Sequence, residues 1–517
     1  KPGGGLDSMD TIVVMDFGGQ YSHLIGRRIR DMGVYAEVVS PGTTKRSLEE
    51  MGNLKGVILS GGAASVYAED SPKPERDILD LEVPILGICY GHQLLAHMTG
   101  GDVESGDYGE YGTSVLGLSN RNSKLLRGLD DQEEVWMNHK DRVAAMPVRY
   151  STLASTDSSP IAAFVDDSSR RYGVQFHPEV THTSKGGKLL ENFALSICNA
   201  ERDWDPSGLA PELVDRAEDY IGNRKAIIGL SGGVDSTTAA RLVGKAIGDD
   251  LTAIYVDTGL MRQGETESIK NTFAGSDLEL IVLNRKEEFL GKLEGVEDPE
   301  KKRKIIGNTF IDVFTEKAKS IGAEVLVQGT IYSDVIESGS TTHSDTIKSH
   351  HNVGGLPEKV NLDIYEPLKD LYKDEVRQIA DSLGLPEEII NRHVFPGPGL
   401  AIRIVGEVTP ARVEVVRRAS YIVEEELKSA GLYEDVWMGF AVLLSVKSVG
   451  IQGDLRSYKY PVALRIVESE DAMTANFAQI PFKILEKMST RITNELDQVN
   501  RVVYDISNKP PATMEWE

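Results

Sequence analysis

Cysteine is almost missing from this chain. Its 517 residues include two, Cys89 and Cys198. Two thiols cannot build a disulfide framework, so the fold must rest on buried apolar surface, and a reducing cytoplasmic setting is expected. No Cys/His cluster has the spacing of a structural zinc site. Long apolar runs are missing too. Stretches such as Phe440 to Val446 fall far short of the about 20 residues that span a bilayer. No basic segment followed by an apolar one opens the chain. Lys1 to Ser8 read as a non-native appended stretch, with Met9 as the expected native start. Basic charge is in deficit: 56 Lys and Arg stand against 80 Asp and Glu, a net charge of −24. That balance argues against a nucleic-acid or membrane-surface role and suits a salt-rich setting. Any anionic ligand must then be held by Lys and Arg gathered locally.

Short apolar runs alternate with amphipathic segments over the first 200 positions. Ile12 to Met15, Ala36 to Val39, Gly56 to Leu59 and Pro84 to Ile88 read as strands, as does Gly173 to Phe176. Leu24 to Met32, Leu94 to Met98 and Lys188 to Ile197 read as helices. Such alternation implies a mostly parallel sheet covered on both faces. Asp203 to Gly208 reads as a linker, and a second alternating pattern follows, with strands at Ala226 to Leu230, Ala253 to Val256 and Glu324 to Gln328. Ser236 to Ile247 carries apolar residues at helical spacing. Ser338 to His351 is polar and aperiodic and reads as a mobile loop, either plain disorder or a lid. Phe395-Pro396-Gly397-Pro398-Gly399-Leu400 suits neither a helix nor a central strand and marks a third boundary. Beyond it, strands at Ala441 to Val446 and Tyr460 to Ile466 mix with helices at Pro410 to Ala430 and Ala475 to Asn494. The expected architecture is α/β: two doubly wound parallel-sheet domains, at 10–202 and 203–393, then an α+β domain at 394–517.

Two motifs carry chemistry. Gly87-Ile88-Cys89-Tyr90-Gly91 lies between a buried strand and a helix, the cysteine counterpart of a nucleophile elbow. The helix N-terminus favours thiolate. A thiolate nucleophile needs a base and an orienting partner. His177 and Glu179 stand two apart, so an extended backbone turns both side chains the same way. Ser60-Gly61-Gly62, after a strand, can offer backbone N–H groups to an oxyanion. Cys198, beside Phe193, Ala194 and Ile197, reads as core packing.

The second motif is Ser231-Gly232-Gly233-Val234-Asp235-Ser236, again between strand and helix. It is no Walker A loop, since no Gly-Lys-Ser/Thr follows, and Gly186-Gly187-Lys188 lacks the upstream glycine. Its glycines expose backbone N–H groups at a helix N-terminus, an anion site, and Ser231 and Ser236 add hydroxyls. Asp235 beside phosphate calls for a divalent cation between them, so ATP with Mg²⁺ is the expected ligand. No tightly bound organic cofactor is expected.

These residues resemble known families. Gly-Gly-x-x-Ser at 61–65, Gly-Ile-Cys-Tyr-Gly-x-Gln at 87–93 and Gln-Phe-His-Pro-Glu at 175–179 are similar to class I glutamine amidotransferases. That resemblance implies a Cys89–His177–Glu179 triad releasing ammonia from glutamine, with Gly61, Gly62, Tyr90 and Gln93 around the substrate. Ala63 departs from a common proline, and Asn138-His139-Lys140-Asp141 from the usual Ser-His-Gly-Asp. The loop at 231–236 resembles the PP-loop pyrophosphatases, which split ATP between the α and β phosphates; Val256 joins the nucleotide residues.

Further segments narrow the acceptor. Lys302 to Gly307, Gln328 to Tyr332, Ile347 to Gly355, Phe395 to Leu400 and Ser507 to Glu517 resemble the GMP synthase family. The resemblance implies xanthosine monophosphate (XMP) as acceptor, held by Arg303, Gln452, Lys509, Met514 and Glu515. It also implies a homodimer through the C-terminal domain. Arg303 and Lys509 are chemically suited to a phosphate monoester, and Lys348 could meet phosphate or pyrophosphate. Two rivals stand beside this reading: another PP-loop amidotransferase with an acceptor such as a nicotinate dinucleotide, and a catalytically silent glutamine or nucleotide sensor.

Overall fold

The computed structural model describes residues 9–120, 122–276, 278–339, 362–469 and 474–517. Lys348, with most of the loop expected at Ser338 to His351, lies outside the described residues. The chain divides into two compact units, one ending at Asp205 and the other beginning at Pro206. No described helix is long and apolar enough to cross a membrane.

The first unit is built on a nine-stranded sheet. Its strands are β1 (Thr11–Met15), β2 (Tyr35–Val39), β3 (Leu54–Leu59), β4 (Ile85–Ile88), β5 (Asp102–Leu118), β6 (Gln132–Ala145), β7 (Ser151–Ser155), β8 (Ala163–Asp166) and β9 (Arg171–Val174). They run in the order β2-β1-β3-β4-β9-β8-β7-β5-β6. From β2 to β9 the pairing is parallel, and from β9 to β6 it is antiparallel. Alternate residues of β1 serve opposite faces: Ile12 and Val14 join one apolar cluster, Val13 and Met15 another. Both faces of the strand are therefore covered, which explains its unbroken apolar run. The chain order reverses between β1 and β3. Loops leaving the carboxyl ends of strands at such a reversal are where open α/β sheets bind ligands, and Ser60-Gly61-Gly62 is one of them.

The long β5–β6 hairpin has no counterpart among the sequence-derived strands. Many of its positions are exposed and charged, so its apolar period is diluted. A register shift between Ser105 and Glu110 interrupts it further.

In the second unit β10 (Ala226–Leu230), β11 (Leu251–Asp257), β12 (Glu279–Asn284), β13 (Val325–Val327) and β14 (Asp363–Tyr365) form an all-parallel sheet, ordered β12-β11-β10-β13-β14. Its switch point falls between β10 and β13, where Ser231 to Ser236 leave β10. A mixed sheet follows, of β15 (Ile404–Val405), β16 (Met438–Leu444), β17 (Ser448–Gln452), β18 (Leu455–Glu468), β19 (Asn476–Phe477) and β20 (Val499–Tyr504). Helices Pro410–Ser429 and Phe482–Glu495 accompany it. One apolar cluster runs from Ile227 and Ile254 through Leu400 and Val416 to Leu464 and Val499, so both sheets of this unit share a core.

The last helix begins at Phe482 rather than at Ala475. Pro481 disfavours helical backbone for the residue before it. The preceding stretch takes sheet pairing instead: Asn476–Phe477 joins β18, and Ala475 bridges to Lys509.

Candidate active sites

Cys89 joins β4 to helix Tyr90–Met98 in a backbone state that non-glycine residues seldom adopt, φ 52° and ψ −104°. Its N–H donates to Val174 O at 2.9 Å, tying the elbow to β9. The flanking glycines are sterically required. A Cβ at Gly91 would lie 2.1 Å from Leu59 O, and one at Gly87 2.3 Å from Gly91 O.

His177 and Glu179 follow β9 and are brought to the same place. His177 Nδ1–H donates to Glu179 Oε1 at 2.6 Å. Cys89, His177 and Glu179 are 3 %, 4 % and 1 % exposed, so water screens their charges weakly. Burial alone would lower the His177 pKa, but Glu179 and the Cys89 sulfur outweigh it and hold the imidazole well above its ordinary value. Gly61 presses against both partners: a Cβ there would stand 3.0 Å from His177 Cε1 and 3.7 Å from Cys89 Cβ. Gly62 is as confined, its would-be Cβ 2.7 Å from Phe17 O. The Tyr21 ring meets the His177 ring edge-on at 5.2 Å. His177 is further fixed by its N–H to Trp136 O at 3.0 Å and by Thr183 Oγ1 donating to its carbonyl at 2.7 Å. Tyr90 is buried and its hydroxyl donates to Pro72 O at 2.8 Å. Gln93 Nε2 donates to Asp141 O at 2.5 Å and to Gln175 Oε1 at 3.2 Å. Of Asn138, the sequence pattern flagged only the departure; its carbonyl lies 3.7 Å from Cys89 Sγ. Cys198 packs in the core under Gly56, where burial pushes its thiol pKa up.

The second constellation surrounds the loop after β10. Ser231 and Ser236 bring their hydroxyls to 3.1 Å, and Gly233 is the N-cap of helix Val234–Ile247. Gly232 has φ +81°, and a Cβ there would come 2.3 Å from Glu265 Oε1. Arg392 Nη1 donates to Gly232 O at 2.9 Å. Gly329, after β13, closes on the loop so tightly that a Cβ would lie 2.8 Å from Ser236 N. Val256 is buried near the end of β11. Lys373 Nζ lies 2.5 Å from Asp235 Oδ2, while buried Oδ1 meets no hydrogen-bond partner among the described residues. An orphaned carboxylate oxygen beside a phosphate-type loop suits a Mg²⁺ carried by ATP. Glu265, Arg392 and Lys373 belong to no local pattern; only the sheet brings them to the loop.

A third group gathers on helix Pro299–Ile321 and the segment after β20. Arg303 Nη2 donates to the Glu517 carbonyl. Its neighbour Lys302, fully buried, meets the Glu517 carboxylate and Ile404 O. Arg403 holds both carboxylate oxygens of Glu515, at 2.8 and 3.1 Å. Arg465, also fully buried, donates to the carbonyls of Ser507 at 2.5 Å, Thr513 at 2.9 Å and Met514 at 3.5 Å. Met514 and Glu515 thus lie on one clamped segment, which Arg303 reaches from the helix through Glu517. Lys509 joins it through backbone pairing with Ala475, and the Gln452 backbone ends β17.

Comparison with known proteins extends this picture. The glutamine amidotransferase class-I family matches residues 13–197, the NAD synthase family 212–274, and the GMP synthase C-terminal domain family 425–516. A protein of Halothermothrix orenii named GMP synthase [glutamine-hydrolyzing] is 50 % identical over 511 residues, covering 98 % of this chain and 99 % of the relative. The protein of the same name from Geobacillus kaustophilus is 51 % identical over 512 residues, with 99 % and 100 % covered. This chain belongs to the GMP synthase family. An Aquifex aeolicus member is 50 % identical over 507 residues, covering 98 % of this chain and 99 % of that one. Among solved structures, a glutamine amidotransferase of Thermotoga maritima is 24 % identical, covering 37 % of this chain and 86 % of its own, with a TM-score of 0.29.

Proposed function

We propose that this chain makes GMP from XMP, using glutamine as nitrogen donor and ATP as activator. The carrying observation is the presence, in one chain with full-length GMP synthase relatives, of the Cys89–His177–Glu179 arrangement and the Ser231–Ser236 loop.

At the first site Cys89, its proton passed to His177, attacks the glutamine amide carbon. Glu179 stabilises the resulting imidazolium, which returns the proton to departing ammonia. Backbone N–H groups near Gly61 and Gly62 suit the oxyanion. Water then hydrolyses the thioester, giving glutamate and free Cys89. At the second site the Ser231–Ser236 loop holds the phosphates. The XMP ring oxygen attacks the α-phosphorus and pyrophosphate leaves. Ammonia attacks the activated ring carbon and AMP leaves, giving GMP. Mg²⁺, held through ATP and Asp235, would offset phosphate charge. Arg303 and Lys509 are assigned to the XMP phosphate, Met514, Glu515 and Gln452 to the rest of the nucleotide, Val256 to ATP, and Tyr90 and Gln93 to the glutamine pocket.

We assign the C-terminal segment to pairing of two copies, because Ile451, Leu455 and Tyr458 of β17 and β18 present 76 %, 73 % and 64 % of their surface to solvent. The domain limits 10–202, 203–393 and 394–517 and a cytoplasmic location belong to the same reading.

The NAD synthase match raises a nicotinate-type acceptor as the alternative. The test is pyrophosphate release with ATP, ammonium and a panel of acceptors. Turnover confined to XMP is expected. Turnover with a nicotinate dinucleotide instead, or nucleotide binding without pyrophosphate, would contradict the proposal.

A further inference from the structure

Behind the thiol elbow lies a second buried carboxylate–imidazole couple that the chemistry above does not use. Glu110 of β5 faces His139 of β6, next to the register shift in that hairpin. His139 Nε2 lies 3.2 Å from Glu110 Oε2, and both side chains are under one-tenth exposed. Ser159 Oγ donates to Glu110 Oε2 and Thr156 Oγ1 to Glu110 Oε1, each at 2.9 Å. The other ring nitrogen of His139, Nδ1, lies 2.9 Å from Asp141 O.

The donor inventory orients the ring. A carbonyl oxygen only accepts, so Nδ1 must carry a proton. Glu110 is held as a carboxylate: burial pushes its pKa up, but His139, Ser159, Thr156 and Ser114 outweigh that and bring it to about 2. His139 Nε2 faces the Glu110 carboxylate at 3.2 Å and the Ser159 hydroxyl at 3.5 Å, so the ring is held between Glu110 on one side and the Asp141 carbonyl on the other.

The consequence reaches the reacting thiol through the backbone. Asp141 O accepts from both His139 and Gln93. One residue before His139, Asn138 O faces Cys89 Sγ. We propose that the buried Glu110–His139 contact is a positioning device of the glutamine site, fixing the Asn138–Asp141 backbone that orients Gln93 and Cys89. This rests on the proposed glutaminase reading of Cys89.

The test uses the full-length chain, with glutamine-driven and ammonium-driven synthesis assayed side by side. Glu110→Gln should raise KM for glutamine about tenfold, since small misplacements at a site carry large kinetic costs. Its ammonium-driven rate should stay at the wild-type value, and Glu110→Asp should restore part of the affinity. A melting temperature that falls while KM for glutamine holds would reduce the pair to a structural role and overturn the proposal. Imidazole ¹⁵N shifts supply a readout that does not depend on how the variant folds. A proton on His139 Nδ1 in the wild type is expected, since that nitrogen faces the Asp141 carbonyl, and an unprotonated Nδ1 would overturn the tether to Asp141. Wild-type chain that makes GMP from ammonium but leaves glutamine untouched would overturn the glutaminase reading and this one together. Normal wild-type turnover with an unaltered variant would overturn the positioning role alone.

Discussion

Lys373 Nζ and Asp235 Oδ2 lie 2.5 Å apart across 138 residues of chain. The pairing accounts for a buried carboxylate in the loop proposed to bind phosphate. Lys373 meets one oxygen, and on that proposal the other would take a cation arriving with the nucleotide. Asp235→Asn should stop pyrophosphate release with either nitrogen source. Lys373→Met should weaken ATP binding about tenfold to a hundredfold, the worth of one charge-assisted hydrogen bond. ATP titration with a pyrophosphate assay checks both. Near-normal release from the Asn variant would remove Asp235 from the metal.

Cys89→Ala should abolish glutamine-driven synthesis and spare ammonium-driven synthesis. An alkylating reagent should modify Cys89 and leave Cys198 untouched, since burial raises the Cys198 thiol pKa. Peptide mapping after limited alkylation reads the difference, and equal labelling would contradict it.

The His177–Glu179 contact predicts a pH dependence of defined sign. His177 titrates above its ordinary 6.5 in the folded chain, so the folded state binds this proton more tightly than the unfolded one. Its contribution to stability is complete below pH 6.5 and is lost as pH rises through the elevated value. Glu179→Gln removes the largest influence that raises it. The variant should show a flatter decline of stability on the alkaline side, read by denaturant titration across pH. Its glutamine turnover should fall by about two orders of magnitude or more. A decline as steep as in the wild type would show that Glu179 does not set the His177 charge.

The elements that carry the two motifs could be read because their physics is local. Ala226–Leu230 is a continuous apolar run, and the Gly-x-Cys-x-Gly elbow is written in glycines that steric contact requires. Cys89, His177 and Glu179 were legible as a set from strand ends and a two-residue spacing. Glu110 and His139 were not, because a hairpin register brings them together across 29 positions. The same holds for Lys373, Glu265 and Arg392, which topology alone carries to the loop. Ala475 looked helical by composition, yet Pro481 and the bridge to Lys509 put it in sheet pairing.

The acid excess predicts a response to salt. With 80 acidic side chains against 56 basic ones, repulsion is long-ranged in dilute buffer, and salt screens it over about 10 Å at about 0.1 M. The melting temperature should rise with potassium chloride from dilute to molar conditions. Affinity for XMP should fall over the same range, as the contacts proposed for Arg303 and Lys509 with phosphate would be screened. A melting temperature that is flat or falling would leave ordinary solubility as the only role of the charge.

The most direct measurement follows the nitrogen. The full-length chain is given XMP, ATP, Mg²⁺ and glutamine labelled with ¹⁵N at the side-chain amide, and the products are weighed by mass spectrometry. The predicted result is GMP one mass unit heavier, with one AMP and one pyrophosphate formed per GMP. Cys89→Ala should give no labelled GMP and normal unlabelled GMP once ammonium is added. Unlabelled GMP from the wild type under these conditions, or glutamate released with no AMP formed, would contradict the coupling of the two sites.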